Sequence, residues 1–179
     1  YKDETSYKVA GSLPRYEYDA RQTFLPRIYS NDPAHIEAYR RWTGLKPNEK
    51  PGFSDNLKFM FRYQLGHMYV RYFLWNFAGK AKDEQHARWI TGVSHAETDA
   101  YVYTTPSEHA SRNAYLALPL LLGLFGMFYH FRRDARRALA VLLLFLATGV
   151  GLVLYLNEIP NTPRERDYIY VASYFAFSL

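Results

Sequence analysis

Apolar and polar positions follow no regular rhythm over the first thirty residues, where Pro14 and Pro26 break any helix and Tyr16 and Tyr18 fit short strands or extended loop. A helical pattern then sets in. Asp32 is placed as a cap, Pro33 as the first helical residue and Gly44 as the stop, with Ile36, Tyr39 and Trp42 on one side, so the spacing predicts a helix over 33–43. A Pro/Gly loop follows at 45–54, and a second helix is predicted over 55–78, ended by Gly79. Aromatic residues lie nearly all round that second helix, with Lys58, Arg62, His67 and Arg71 among them. Apolar character on most sides marks a buried, interfacial or spanning helix, and the basic residues argue against a simple span. An interfacial, membrane-apposed helix is expected, with the buried helix of a water-soluble domain as the other reading.

Residues 80–104 read as irregular, with short strands at Arg88–Val93 and Tyr101–Thr104. Thr105, Pro106 and Glu108 form a capping signal, and the helix they start is expected to run on into the apolar stretch that follows. From Ala114 to Tyr129 there is no charge, and a first span is placed at about 114–131. Ala138–Leu156 is also uncharged, and twelve of its nineteen residues are Leu, Val or Phe. At roughly −0.3 to −0.6 kcal/mol each near a helix centre, these favour insertion by several kcal/mol, so a second span is placed at about 137–156. Pro119 is compatible with a span, because neighbours can satisfy the carbonyl it frees. The two spans form a tight helical hairpin, and a third, truncated span starts at 168.

Charge sharpens this division. Of the 22 basic and 17 acidic residues, only six and four lie in 113–179, and those form two short clusters. One is the turn with Arg132, Arg133, Asp134, Arg136 and Arg137. The excess of positive charge on the inner side of spanning helices puts this turn in the cytoplasm, and residues 1–112 and 157–167 on the extracytoplasmic side. The fold class expected is therefore mainly α and membrane-embedded, a transmembrane helical hairpin plus the start of a third span, preceded by a mixed, aromatic-rich extracytoplasmic region. The apolar run at the end, about 18 Å long if helical, is short for a bilayer, so the chain reads as an internal piece of a longer membrane protein. The other reading is a water-soluble protein ending in a buried helix or strand.

Composition excludes several classes. The chain has 179 residues, 49% apolar and 18% aromatic, too much for intrinsic disorder. Its formal charge of +5 is too small to imply nucleic-acid binding without a clustered basic face. The absence of cysteine removes disulfides and thiolate-held metal sites. The six histidines contain no HExxH and no compact ligand pair; His86, His95 and Asp99 are the nearest approach to one. No metal and no cofactor is expected. A phosphate-cradling glycine loop and a GxSxG elbow are both missing from the sequence. Ala147 and Gly151 have the spacing of close helix packing.

The second charged cluster, Asn157–Tyr168, lies between two apolar segments and holds two prolines. Arg164 and Arg166 suit an anionic group such as the phosphate of a lipid-linked substrate, since the guanidinium fork matches phosphate oxygens. Glu158, Glu165 or Asp167 then orients an acceptor or acts as a base. The plain alternative is a self-paired loop in which Glu165 and Asp167 neutralise the arginines. In the helix at 55–78, Arg71 and Trp75 are candidates for lining a carbohydrate or polyprenyl groove; a packed core or a membrane-surface anchor is the alternative.

With those residues in view the sequence resembles a bacterial family of large multi-span membrane proteins, long filed as a domain of unknown function and grouped with the protein O-mannosyltransferase-like glycosyltransferases. The likeness runs through Tyr63-Gln64, Met68-Tyr69, Arg71-Tyr72-Phe73, Trp75-Asn76-Phe77 and Gly79. It continues at Asn113, Tyr115, Leu118-Pro119-Leu120, Gly123, Arg133-Asp134, Thr148-Gly149, Tyr155, Asn157 and Pro160, and is strongest at Pro163–Tyr168 (PRERDY). After Gly79 the chain departs from the family's Arg-Gln-Asn-Asp and reads Lys80-Ala81-Lys82-Asp83.

The resemblance implies an enzyme that takes a sugar from a polyprenyl-phosphate carrier and attaches it to a hydroxyl, often on protein, at the extracytoplasmic face of the bacterial inner membrane. Its partners are then membrane lipid, the polyprenyl-phosphate-linked sugar, an acceptor protein, and the rest of a longer chain or other membrane subunits, with no nucleic acid. In such enzymes the catalytic carboxylate usually lies in the first extracytoplasmic loop, which the resemblance places outside this chain. The substrate-binding candidates are Arg164, Arg166, Asp167, Glu165, Arg71 and Trp75. The rival from another class is a non-catalytic membrane subunit or scaffold that docks a partner or anionic lipid. A transporter is disfavoured, because neither span carries an ionisable midplane residue.

Overall fold

The computed structural model describes residues 25–47, 49–84, 86–94, 97, 105–161 and 167–179, and the chain is mostly helical. The first helix, α1 (Pro33–Thr43), is framed by local signals: the Asp32 carboxylate accepts from the Ala34 N–H at 2.8 Å, Pro33 opens the first turn, and Gly44 closes it at φ 82°. Ala38, Tyr39 and Thr43 face inward, and the Thr43 hydroxyl donates to the Tyr39 carbonyl at 2.7 Å.

Helix α2 covers 53–77 as one continuous rod. It begins as α-helix (Phe53–Phe59), widens to a π-helix (Met60–Val70) and returns to α-helix (Arg71–Phe77). The wide register explains Gly66, where an added Cβ would lie 2.9 Å from the Phe61 carbonyl oxygen. α2 links the two ends of the fold. It buries Phe59, Met60, Tyr63, Gln64, Met68, Tyr69, Arg71 and Tyr72, and contacts both the front of the chain and its last helices. Two core clusters form along it. One joins Tyr39, Phe59, Tyr63 and Met68 with Ile28 and Trp42; the other joins Tyr69, Val153 and Tyr170 with Phe145, Val150 and Tyr174.

After α2 the chain turns through Gly79 into β1 (Gly79–Lys80), which pairs antiparallel with β2 (Asn113–Ala114) in the register Gly79↔Ala114 and Lys80↔Asn113. Expected strand Arg88–Val93 shrinks to one bridge, Lys80↔Trp89. A Cβ on Gly79 would lie 2.6 Å from the Asn113 carbonyl and 2.7 Å from that of Ile90, so only glycine lets the three segments meet. Expected strands before residue 25 and at Tyr101–Thr104 lie outside the described residues.

This crossing corrects the boundary of the first apolar helix. The helix started by Pro106 is short, α3 (Pro106–Ala110), and does not run on. Tyr115 and Ala117 donate to the Ala78 carbonyl and Leu116 to that of Thr91, while Leu116 and Ala117 take left-handed backbone at φ 55° and 54°. Helix α4 therefore starts at Leu118 and ends at Arg133, sixteen residues, and not at 114–131. Its length is about 24 Å, below the roughly 30 Å of a hydrocarbon core.

Asp134 alone separates α4 from the next helix, and its carboxylate caps that helix by accepting from the Arg137 N–H at 3.1 Å. Helix α5 (Ala135–Leu156) has 22 residues and contains a π-helical turn at Ala147–Gly151. Among the described residues it is the one helix long and apolar enough to cross a membrane. A core helix of a water-soluble protein meets the same length test but is mostly buried, whereas only 11% of the apolar stretch of α5 is buried. A 3₁₀ turn (Asp167–Tyr170) leads into α6 (Val171–Ser178), which packs along α5.

Candidate functional site

Every fourth side chain along α2 belongs to one ladder. Phe59 stacks on Tyr63 with ring centroids 5.0 Å apart, and Tyr63 stacks on His67 at 5.8 Å. Next comes Arg71, whose Nε donates to the His67 carbonyl at 2.9 Å. Its guanidinium lies 4.4 Å from the Tyr72 ring centre and 5.0 Å from that of Trp75. Trp42 of α1 leans on Tyr63 and His67 at 5.2 and 5.1 Å. The 79–90 segment closes the ladder from the other side: His86 meets His67 with ring nitrogens 2.8 Å apart, Arg71 Nη1 donates to the Ala87 carbonyl at 3.0 Å, and Lys80 Nζ lies 5.5 Å from the Trp75 ring.

The electrostatics of this cluster are those of a brace. Burial, then the Arg71 charge and His86, push His67 down to about 4, so its ring is neutral at pH 7. His86 is shifted down as well, by burial and by Arg71. Arg71 is 5% exposed and directed at backbone carbonyls and rings. Of the two sequence candidates on this helix, Arg71 is thus turned into the fold, while Trp75 keeps a buried indole Nε1 with no hydrogen-bond partner among the described residues. Sequence reasoning picked out Arg71 and Trp75 but missed His67–His86 and the fourfold spacing that joins them.

A second polar cluster forms where α5 ends. Asn157 takes left-handed backbone at φ 46° and caps the helix. Its Oδ1 accepts from Gln64 Nε2 at 3.0 Å and from Arg27 Nη1 at 3.3 Å, and its Nδ2 donates to the Pro26 carbonyl at 3.0 Å. Arg27 also donates to the Leu154 carbonyl at 2.9 Å, placing a cation at the negative end of the α5 dipole. Gln64 reaches the Glu158 carbonyl at 2.9 Å, and Asn161 donates to that of Ala34 at 3.2 Å. Arg164, Glu165 and Arg166 lie outside the described residues, as does the side chain of Asp167. The structure thus fixes the two ends of that charged segment, at Asn161 and at the 3₁₀ turn.

The third feature is an apolar groove of about 520 Å³ between α4, α5 and α6, reaching Phe73 and Phe77 of α2 at one end and His130 at the other. Gly123 and Gly126 of α4 both face it. At Gly123 the missing side chain is accounted for by Phe177, whose ring would lie 2.4 Å from an added Cβ, whereas at Gly126 nothing lies within 4 Å. Among the described residues, no three or more His, Asp or Glu side chains are grouped to hold a metal ion.

Fold and site together define a mostly helical chain with, among the described residues, one helix long and apolar enough to cross a membrane and a polar, aromatic brace at one end of it. The family described as "Family of unknown function (DUF8416)" matches residues 1–61, about a third of the chain, including α1 and the first turns of α2. No curated protein and no solved structure matches.

Proposed function

We propose that this chain is part of a membrane glycosyltransferase that transfers a sugar from a polyprenyl-phosphate carrier to an acceptor hydroxyl, on protein, at the extracytoplasmic face. The observation that carries this reading is the Asn157 junction. There the end of a membrane-length helix is tied by Gln64 and Arg27 to the aromatic helix, and the chain leads directly into the segment holding Arg164 and Arg166. A carrier with a long apolar tail and a phosphate needs such a meeting of bilayer and cation. The resemblance of the α2 and PRERDY residues to sugar transferases supports the same reading.

In this account α4 and α5 form the transmembrane hairpin, α6 begins a third span, and the short α4 is accommodated by tilt or local thinning of the bilayer. Arg164 and Arg166 hold the carrier phosphate, Glu165 and Asp167 orient the acceptor, and Trp75 offers the part-exposed portion of its ring to the sugar. Arg71 holds the ladder in place. No catalytic carboxylate is assigned among these residues.

The test is transfer by the native gene product, reconstituted in vesicles with a polyprenyl-phosphate-linked sugar and acceptor protein. Arg164→Ala with Arg166→Ala should abolish transfer while the protein stays in the membrane fraction; undiminished transfer ends the assignment. The rival, a non-catalytic subunit that docks a partner, is favoured by how completely Arg71 is engaged within the fold. It predicts no transfer by the native protein and stable co-purification with a second membrane protein.

A further inference from the structure

The turn between α4 and α5 has more positive charge than its geometry explains. Four arginines and one aspartate occupy 132–137, a formal +3 in six residues. Arg132 and Arg133 end α4, where the helix dipole favours cations. Arg136 and Arg137 sit in the first turn of α5, where the dipole opposes them, and no acidic residue lies in that turn. Asp134 pairs with Arg137 at 3.4 Å, and the Arg132 guanidinium lies over the Phe128 ring at 4.7 Å. All four arginines are exposed.

The apolar groove begins at this turn. Gly126, Met127, Phe131, Ala138, Val141 and Leu142 line its arginine-side half, and the space at Gly126 is filled by no protein atom within 4 Å of where a Cβ would stand. From His130 back to Pro119 the groove follows twelve residues of α4, about 16 Å, roughly half a hydrocarbon core and so the depth of one leaflet. A cationic mouth over an apolar slot one leaflet deep is complementary to one kind of molecule.

We propose that the α4–α5 groove binds an anionic phospholipid of the leaflet facing the arginine turn, with an acyl chain along Gly126 and the phosphate among Arg132, Arg133, Arg136 and Arg137. This rests on the reading of α5 as a membrane-crossing helix, and it places a lipid site at the opposite end of that helix from the 157–167 segment. The headgroup anion supplies the charge that the first turn of α5 lacks, and the guanidinium forks suit its phosphate oxygens. Filling the slot at Gly126 also removes exposed apolar surface between two helices.

The experiment uses the native gene product in a neutral detergent, titrated separately with phosphatidylglycerol and phosphatidylethanolamine and read by native mass spectrometry. One phosphatidylglycerol should be retained per chain, about a hundredfold more tightly than phosphatidylethanolamine, as expected for a net three charges at a membrane surface. Replacing the four arginines with Gln should reduce phosphatidylglycerol to the level of the zwitterionic lipid. Gly126→Leu, which has room for its side chain, should abolish retention of both while leaving thermal stability intact. Equal retention of the two lipids by the wild type, or unchanged retention by Gly126→Leu, overturns the site. A photo-crosslinker at Leu122 that captures protein in place of lipid also overturns it. Carbonate extraction separates this from the underlying reading: release of the protein from membranes would refute the span itself, whereas an integral protein without lipid preference refutes the lipid site alone.

Discussion

The two halves of this chain use the same kinds of side chain for opposite purposes. In the front half, Tyr39, Phe59, Tyr63, Met68 and Tyr72 are buried, beside hydrogen bonds that Asn56 accepts from Ile28 and that Gln64 and Arg71 donate. In the back half, α4 has no buried residue at all, and Leu122, Phe125 and Tyr155 are 69%, 69% and 83% exposed. The front half therefore has its solvent boundary where a water-soluble domain would have it, and the back half presents its apolar surface outward. Contiguous exposed apolar surface on this scale marks a membrane or a partner. A low average hydropathy conceals this, because it sums a region that buries its rings and a region that exposes its apolar side chains.

The contrast breaks most sharply where the halves interlock along the middle of α5. Gly149 of α5 faces Tyr69 of α2, and an added Cβ would lie 2.2 Å from the Tyr69 hydroxyl and 2.7 Å from that of Ser173. Those two hydroxyls are themselves bonded at 2.6 Å, and Ser173 donates to the Phe145 carbonyl at 3.0 Å. Gly149→Ala should therefore destabilise the protein by about 2–3 kcal/mol, read by thermal unfolding in detergent. The matching change at Gly126, Gly126→Ala, should stay within about 0.5 kcal/mol, since nothing surrounds it. If both behave alike, the halves are not interlocked as described.

Next in size is the tie at the end of α5. Arg27→Ala removes a donor from the Leu154 carbonyl and from Asn157 and should cost about 2 kcal/mol. The loss should also raise amide exchange in 152–157 while leaving 135–146 unchanged, because Arg27 bonds to this helix only at Leu154 and Asn157. Uniform exchange along α5 would contradict a local tie.

The last effect is a pH dependence of the front half, absent at neutral pH and developing only on acidification. His67 stays neutral in the folded state down to about 4, whereas the unfolded chain takes up a proton near the ordinary 6.5. Below 6.5 the unfolded state binds more protons, so stability is fully present above that pH and falls as pH drops towards about 4. His67→Phe keeps the stacking on Tyr63 and should flatten the slope, leaving the contribution of His86. A melting temperature that rises on acidification over this range would exclude a buried, neutral His67.

What was legible in the sequence follows the same division. Helix α1 could be read residue by residue, because Asp32, Pro33 and Gly44 act within one turn. Helix α5 was legible too, because an uncharged run of that length has few alternatives. The start of α4 was not, since it depends on Tyr115, Leu116 and Ala117 bonding to residues more than twenty positions earlier in the chain. The ladder on α2 lay in plain view at positions 59, 63, 67, 71 and 75, yet a spacing of four drifts about 40° per step on an α-helix and reads as aromatic residues all round. The π-helical middle of α2 widens the turn and draws these side chains together, and sequence periodicity gave no sign of it. Gln64, Arg27 and Asn157 meet across more than ninety residues, which no local pattern reports.

The claim at the centre of this account is that α5 crosses a membrane and leaves the front half on one side. These 179 residues contain no cysteine, so each substitution adds a single thiol to them. Lys46→Cys, Leu143→Cys and Arg136→Cys, probed with a membrane-impermeant maleimide on sealed vesicles of known orientation, test it directly. The account predicts labelling of position 46 from one side only, of position 136 from the other side only, and of position 143 from neither. Labelling of 46 and 136 from the same side, or of 143 from water, would contradict it.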